Sequence, residues 1–140
     1  MDFVLDNSVA MRWLLETPKK TDQNYSKSVL LSLTESSALV PNLWHLEATN
    51  VLLSAEKRTE ISVGESERFM LQLEDLPITV DPLTANQCFS HIIALSRAYG
   101  LSSYDAAYLE LSIRESLPLA TLDKALKKAA KKAEVELYLD

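Results

Sequence analysis

Cysteine, glycine and proline are all scarce in this chain, and each scarcity excludes a class of protein. The single cysteine, Cys88, excludes an intramolecular disulfide and suits a reducing cytosol. Two glycines and five prolines argue against flexible linkers and low-complexity tails. The start of the chain also lacks a basic segment followed by a long apolar run. We therefore expect a cytoplasmic protein with no signal peptide and no association with a membrane.

Positive charge is in short supply as well. Lysine and arginine number 14 against 20 aspartates and glutamates, so the formal net charge is −6. This balance argues against a protein that holds nucleic acid through a general basic surface. It does not exclude a nuclease, because acidic residues gathered around metal ions contribute to the same total. Five lysines cluster late in the chain, where we expect a solvated helix face or a local basic patch: Lys124, Lys127, Lys128, Lys131 and Lys132.

The composition that remains is typical of one globular domain. Hydrophobic residues make up 47% of the chain and charged residues 24%. A chain of 140 residues buries roughly 70% of its unfolded surface, which is enough for a hydrophobic core. Because no internal repeat or shift in composition marks a boundary, we expect a single domain over residues 1–140.

Short apolar runs alternate with longer amphipathic stretches along the whole chain. The runs predict strands at 3–5, 38–40, 78–80 and 119–121, with 135–139 as a fifth strand at the sheet edge. The stretches between them predict helices, and one of these is a long helix over 83–99. Connections of this length are too long for hairpins, so we expect an α/β fold with a mostly parallel, about five-stranded sheet covered on both faces.

Residues with capping chemistry mark several of the predicted helix ends. Asn42 is a candidate N-cap for a helix over 43–57. Ser62 and Glu65 have the spacing of a capping box. Gly100 follows the long helix at the position where a left-handed residue often ends a helix.

Four carboxylates are far apart in the chain but occupy equivalent places in the predicted fold. Asp6 and Asp123 follow short strands, while Glu47 and Asp105 lie in the first turns of helices. In a parallel α/β domain these places converge at the edge formed by the carboxyl ends of the strands. Carboxylates gathered there repel one another and raise one another's pKa unless a cation relieves the repulsion. The pattern therefore predicts a site for a hard divalent metal ion.

Each of these acids also has a purely structural interpretation. Asp6 and Asp105 suit the positive end of a helix dipole, Asp123 suits an N-cap, and Glu47 alone would pass for an exposed helix residue. Four acids at one predicted edge favour the metal site over four separate explanations. Oxygen donors without a matching set of histidines and cysteines suit Mg²⁺ or Mn²⁺ rather than zinc.

The sequence around these acids resembles a known family. The strings DNSVAMRWLL, VPNLWHLEATNVLL, LSSYDAAYLEL and LPLATLDKALKKAA follow one another across nearly the whole chain. They are similar to the successive motifs of PIN-domain ribonucleases, in particular the VapC-like toxins of bacterial type II toxin–antitoxin systems. The resemblance implies that Asp6, Glu47, Asp105 and Asp123 form a catalytic metal site. Asp6 and Asp105 would contact the metal directly, and the other two would complete the site or position the water.

The same resemblance implies a fold, an activity and partners. The fold would be a three-layer α/β/α PIN domain, and the activity a Mg²⁺- or Mn²⁺-dependent endoribonuclease acting on single-stranded or loop RNA. Asn50 and Thr121 match supporting polar positions. Asn7 departs mildly from the motif, because small or acidic residues are common at that place. A homodimer and a cognate antitoxin protein are the implied partners.

Two other interpretations remain open at this point. A receiver-like phosphoacceptor domain also gathers aspartates around Mg²⁺, but the first strand here ends in one aspartate without the usual acidic pair. A catalytically silent PIN scaffold that binds RNA or protein would be marked by the loss of acidic ligands, and all four acids are present. Metal-dependent turnover would separate an enzyme from a scaffold.

Overall fold

A sheet of four parallel strands runs through the structure, a computed structural model that describes residues 2–140. The strands are β1 (Phe3–Leu5), β2 (Ala38–Pro41), β3 (Ile78–Asp81) and β4 (Leu119–Ala120). Their order across the sheet is β3-β2-β1-β4, and Val4 of β1 lies opposite both Leu39 and Leu119. This order places β1 at the centre, where it brings residues from both ends of the chain together.

Helices connect the strands and surround the sheet. They are α1 (Asn7–Ala10), α2 (Lys20–Ser32), α3 (Trp44–Lys57), α4 (Val63–Glu74), α5 (Thr84–Gln87), α6 (Ile93–Tyr99), α7 (Ser103–Glu115) and α8 (Lys124–Lys132). A 3₁₀ turn over Met11–Trp13 follows α1, and a π-helical turn over Cys88–Ile92 joins α5 to α6. Within residues 2–140, no helix combines the length and the apolar character needed to cross a lipid bilayer.

The central strand shows that both faces of the sheet are covered. Phe3, Val4 and Leu5 are all fully buried, although neighbouring side chains of a strand point to opposite faces. Helix α7 contacts both β1 and β2, and its own residues from Ala106 to Ser112 are buried. The fold therefore agrees with the sequence-based expectation of a sheet that is covered on both faces.

The predicted fifth strand is wrong, because the described sheet has four strands. The segment after α8 makes only one isolated parallel bridge, between Leu137 and Leu119 of β4. Besides the two backbone hydrogen bonds at this bridge, the Tyr138 ring stacks on Phe3 with ring centroids 3.9 Å apart. The Tyr25 hydroxyl donates to the Tyr138 carbonyl at 2.6 Å. Side-chain packing thus holds a segment that has too few backbone bonds to be a strand.

The helix ends agree with the sequence where the capping chemistry is local. Ser62 and Glu65 form both bonds of the predicted capping box, and Gly100 ends α6 with φ 67°. Asn42 is not the cap of α3, since the N-cap is Leu43 without a side-chain hydrogen bond. The predicted helix over 83–99 is present but is interrupted by the π-helical turn.

Candidate active site

Asp6, Glu47, Asp105 and Asp123 line one cleft with a volume of about 240 Å³. Asp6 directly follows β1, and the segment after the neighbouring strand β4 carries Asp123. Glu47 belongs to α3 and Asp105 to the first turn of α7. The other residues that line the cleft are Asn7, Ser8, Met11, Arg12 and Val51. The structure therefore brings together all four acids from distant parts of the sequence.

Asp6 is the most deeply buried of the four acids, with 5% of its surface exposed. Its Oδ2 atom accepts hydrogen bonds from the Ser8 hydroxyl at 2.7 Å and from the Thr121 hydroxyl at 2.6 Å. Burial raises the pKa of the Asp6 carboxyl, and the charge of Asp123 raises it further, while the two hydroxyls oppose the shift. One oxygen of Asp6 is thus oriented from two sides.

The two hydroxyls that hold Asp6 also fix the segment after β4. The Thr121 Oγ1 atom accepts the Asp123 backbone N–H at 3.0 Å. The Ser8 Oγ atom accepts the Leu122 backbone N–H at 3.0 Å. Because the chain on both sides of the cleft is tied to the same groups, the spacing between Asp6 and Asp123 is set by backbone as well as by side chains.

Glu47 is half-buried on the wall formed by α3. Its Oε1 atom accepts a hydrogen bond from the Tyr108 hydroxyl at 2.5 Å. Burial raises the pKa of Glu47, and the charges of Asp6 and Asp105 add to the shift, which the bond from Tyr108 opposes. Tyr108 is fully buried, so the phenol anchors the glutamate from within the core.

Asp105 is a half-buried acid whose pKa is strongly shifted. Burial, followed by the charges of Asp123 and Asp6, raises the pKa of its carboxyl to about 6. Its backbone N–H donates to the Ser102 hydroxyl at 3.1 Å, which is the N-cap bond of α7. The backbone of Asp105 thus satisfies the helix end, and the residue also lines the cleft, where a hydrogen bond between its carboxyl and Ser102 opposes the rise in pKa.

Asp123 is a helix N-cap, as its structural interpretation predicts, and it also lines the cleft. It is the N-cap of α8, and its Oδ1 atom accepts the Leu126 backbone N–H at 2.8 Å. Capping occupies one of its oxygens and leaves the other for a second contact. The two interpretations of this residue are therefore compatible.

The supporting residues predicted from sequence have different surroundings. Thr121 is buried and contacts Asp6, whereas Asn50 is exposed and does not line the cleft. Sequence reasoning missed the contacts of Ser8 and Tyr108. A usable signal existed for Ser8, which lies two residues after Asp6. The bond from Tyr108 to Glu47 joins residues 61 positions apart and leaves no local signal.

The carboxylate and amide oxygens of the residues that line the cleft are suitable ligands for a hard cation. Within residues 2–140, none of the four carboxylates forms an ion pair. The Asn7 amide is buried, and neither of its polar atoms has a hydrogen-bond partner in that same part of the chain. No group of three or more histidine, cysteine, aspartate or glutamate side chains there is placed so that it could hold a metal ion. Mg²⁺ usually binds proteins through one or two carboxylates and retains several waters.

Several solved structures share this fold. The VapBC2 complex from Rickettsia felis, bound to a DNA fragment from its promoter, gives a TM-score of 0.65 at 11% identity over 98% of this chain and 97% of that one. A toxin–antitoxin complex from Klebsiella pneumoniae gives 0.59 at 16% identity over 86% of each chain. FitAcB from Neisseria gonorrhoeae gives 0.55 at 18% identity, over 99% of this chain and 96% of that one.

Sequence comparison defines the family more directly than these distant structures. No curated protein matches the chain. The PIN domain family, in contrast, matches residues 3–132, which include every one of the four acids. This match covers nearly the whole chain and favours the nuclease interpretation over the receiver-like one. The chain belongs to the PIN domain family.

Proposed function

We propose that this PIN domain is a metal-dependent endoribonuclease and the toxin of a toxin–antitoxin pair. One observation carries the proposal: four carboxylates from four separate segments line a single cleft, and none of them is paired with a cation in residues 2–140. Burial first, and then the charges of neighbouring acids, raise the pKa values of Asp6, Glu47 and Asp105, and a divalent ion would relieve the repulsion between them. PIN domains are generally nucleases, which agrees with this chemistry.

Each acid has a role in the proposed mechanism. Asp6 and Asp105 would hold Mg²⁺ or Mn²⁺, while Glu47 and Asp123 would complete the site or position the attacking water. A bound divalent ion supplies charge neutralisation at the scissile phosphate and a water of lowered pKa for in-line attack. The hydroxyls of Ser8 and Thr121 fix the orientation of the Asp6 carboxylate within the cleft. The Tyr108 phenol keeps Glu47 from rotating away.

The proposed partners follow from the related structures. The similar structure from Klebsiella pneumoniae is a toxin–antitoxin complex, so we infer a cognate antitoxin for this chain. We also infer a homodimer, which light scattering of the purified protein would test. A small gene for a DNA-binding protein directly upstream would support the toxin assignment.

Cleavage of RNA by antitoxin-free protein tests the activity. Purified protein is incubated with total RNA in Mg²⁺, in Mn²⁺ and in EDTA, beside the Asp105→Asn variant. We expect discrete products from the wild type that require a divalent ion and are lost in Asp105→Asn. Asp75→Asn is the matched control, because Asp75 is exposed at the end of α4 and does not line the cleft.

Two outcomes would contradict the proposed site or the proposed activity. Full activity of Asp105→Asn would refute the assignment of the site. A folded wild-type protein that cleaves no RNA with any metal would favour the alternative of a PIN scaffold that binds RNA or protein without turnover.

A further inference from the structure

Arg12 stands out in the acidic cleft because, among the described residues 2–140, it is the one cation that lines it. The side chain is half-buried and projects from the 3₁₀ turn that follows α1. The mechanism described above assigns it no role. An arginine on a cleft lined by four carboxylates would ordinarily be their counter-ion.

The counter-ion explanation does not agree with the geometry. Within residues 2–140, no carboxylate oxygen lies within 4.0 Å of the Arg12 guanidinium. Its charge acts at longer range on Glu60, whose pKa is lowered first by the hydrogen bond from Arg58, at 2.7 Å, and only weakly by Arg12. Arg12 therefore lines the cleft without acting as a counter-ion of its acids, and its guanidinium forms no hydrogen bond with the described residues.

The backbone that presents Arg12 is held firmly in place. The Gln23 amide donates to the Arg12 carbonyl at 2.9 Å, and the Trp13 indole N–H donates to the Ser26 carbonyl at 2.8 Å. Both bonds tie the 3₁₀ turn to α2. Since the fold uses the backbone of Arg12 and not its side chain, the side chain is available for a ligand and can be changed without loss of a structural bond.

An RNA strand that approaches this cleft meets strong repulsion, because the four acids and the net charge of −6 oppose its phosphates. A metal ion relieves the repulsion at one phosphate only. Arginine binds a phosphate through two parallel N–H···O bonds, which fix orientation as well as supply charge. We propose that Arg12 is a positioning residue that binds a backbone phosphate of the RNA next to the scissile one. The proposal rests on the ribonuclease function inferred above.

The test compares three variants in steady-state cleavage of one short single-stranded RNA. Arg12→Gln should raise KM about tenfold or more, since charged hydrogen bonds of this kind are worth that factor, and should leave kcat nearly unchanged. The slope of log KM against log salt should fall by about 0.7, the contribution of one phosphate contact in a single strand. Arg12→Lys should restore the salt slope and only part of the affinity. Arg68→Gln removes the same charge from an exposed site of α4 outside the cleft and should behave as wild type.

The outcomes separate this proposal from the proposed function. Wild-type KM and salt slope in Arg12→Gln, with RNA cleavage intact, would overturn the role of Arg12 alone. If the wild type does not cleave RNA, the proposed function fails, and fluorescence anisotropy with the same RNA decides the role of Arg12. Binding weakened about tenfold by Arg12→Gln but not by Arg68→Gln would then support it. Equal binding by all proteins, or no binding by any, would overturn it.

Discussion

At the scale of single residues, the most constrained group is the buried carboxylate of Asp6. Two hydroxyls donate to the same oxygen, and both are also acceptors for backbone N–H groups after β4. Thr121 therefore supports two acids at once, through its proton to Asp6 and its oxygen to the Asp123 backbone. A residue with this double role should matter for activity although it is not itself charged.

We expect Thr121→Val to lower the rate of RNA cleavage about 10- to 100-fold, the usual effect of removing a group that orients a metal ligand. The shape of the side chain is kept, but Asp6 loses a donor and the Asp123 N–H loses its acceptor. Stability should fall by about 1 kcal/mol for the unmade bonds. The measurements are kcat with Mg²⁺ and the free energy of unfolding in urea.

Thr121→Ser is the matched control, because it restores the hydroxyl and removes only a methyl group. Its cleavage rate should lie near that of the wild type. Equal loss of activity in both variants would show that packing around residue 121, and not the hydroxyl, is what the site requires.

The acids themselves could be predicted from sequence, whereas most of their partners could not. Asp6 and Asp123 follow recognisable strands, so the sheet edge places them. The bond from Tyr108 to Glu47 joins residues 61 positions apart, and a pattern of local periodicity contains no sign of it. The presence of Arg12 on the cleft depends in the same way on the angle between the turn after α1 and the neighbouring helices.

At the scale of elements, one ion-pair network fastens α7 to the edge strand β3. Arg114 of α7 donates to both oxygens of Asp81, at 3.1 and 2.7 Å, and to Glu110 at 2.8 Å. Asp81 and Glu110 are each buried. Hydrogen bonding from Arg114 lowers the pKa of Asp81. The network links the helix that carries Asp105 to the far edge of the sheet.

Replacing this arginine should destabilise the protein in a pH-dependent way. Arg114→Met leaves two buried carboxylates without a cationic partner, which costs about 3 kcal/mol near neutral pH. The lowered pKa of Asp81 in the folded state means that the ion pair stabilises the fold above the unfolded pKa of about 4. This stabilisation is lost as the pH falls through the folded value. The difference between wild type and variant, measured by urea denaturation, should therefore shrink on acidification below about pH 4.

Arg68→Met is the control for this prediction, because Arg68 is exposed and forms no ion pair within residues 2–140. Its effect should stay within about 0.5 kcal/mol at every pH. A difference for Arg114→Met that is independent of pH would mean that lost packing, and not the charge of Asp81, is responsible.

The ends of helices could be predicted from the sequence where a few neighbouring residues determine them. Ser62 and Glu65 make a capping box by their own chemistry, and Gly100 accepts a left-handed conformation without steric penalty. The π-helical turn over Cys88–Ile92 was not predictable, since it changes the spacing of backbone bonds and not the composition. Phe89, which belongs to the helix predicted over 83–99, is 96% exposed within this turn.

At the scale of the whole molecule, the order of the strands creates the acidic edge. Because β1 lies between β2 and β4, the ends of the first and last strands meet, and α3 and α7 add one acid each. The fold thus holds the four carboxylates close together despite their electrostatic repulsion. Binding of a divalent ion there should raise the free energy of unfolding.

We expect Mg²⁺ or Mn²⁺ to raise the free energy of unfolding, by about 2.7 kcal/mol when the ion is present at about 100 times its dissociation constant. EDTA should reverse the gain completely. Thermal unfolding followed by circular dichroism measures the effect, with Ca²⁺ and Na⁺ at matched ionic strength to separate specific binding from screening.

The Asp105→Asn variant provides the contrast for this experiment. In EDTA it should be more stable than the wild type, because one of the crowded charges is gone. Addition of Mg²⁺ should then stabilise it little. A variant that gains as much as the wild type from Mg²⁺ would place the ion elsewhere on the molecule.

The sequence by itself determined the α/β alternation, the burial of Phe3–Leu5, the local caps and the four acids that follow strands or open helices. These properties depend on neighbours within a few positions, so composition and periodicity record them. Only the tertiary structure decided the strand order, the reduction of the fifth strand to one bridge at Leu137, and the contacts of Tyr108 and Arg12. Such contacts join residues as much as 115 positions apart, as Thr121 and Asp6 show. Packing of the complete chain selects them, and no local pattern encodes their geometry.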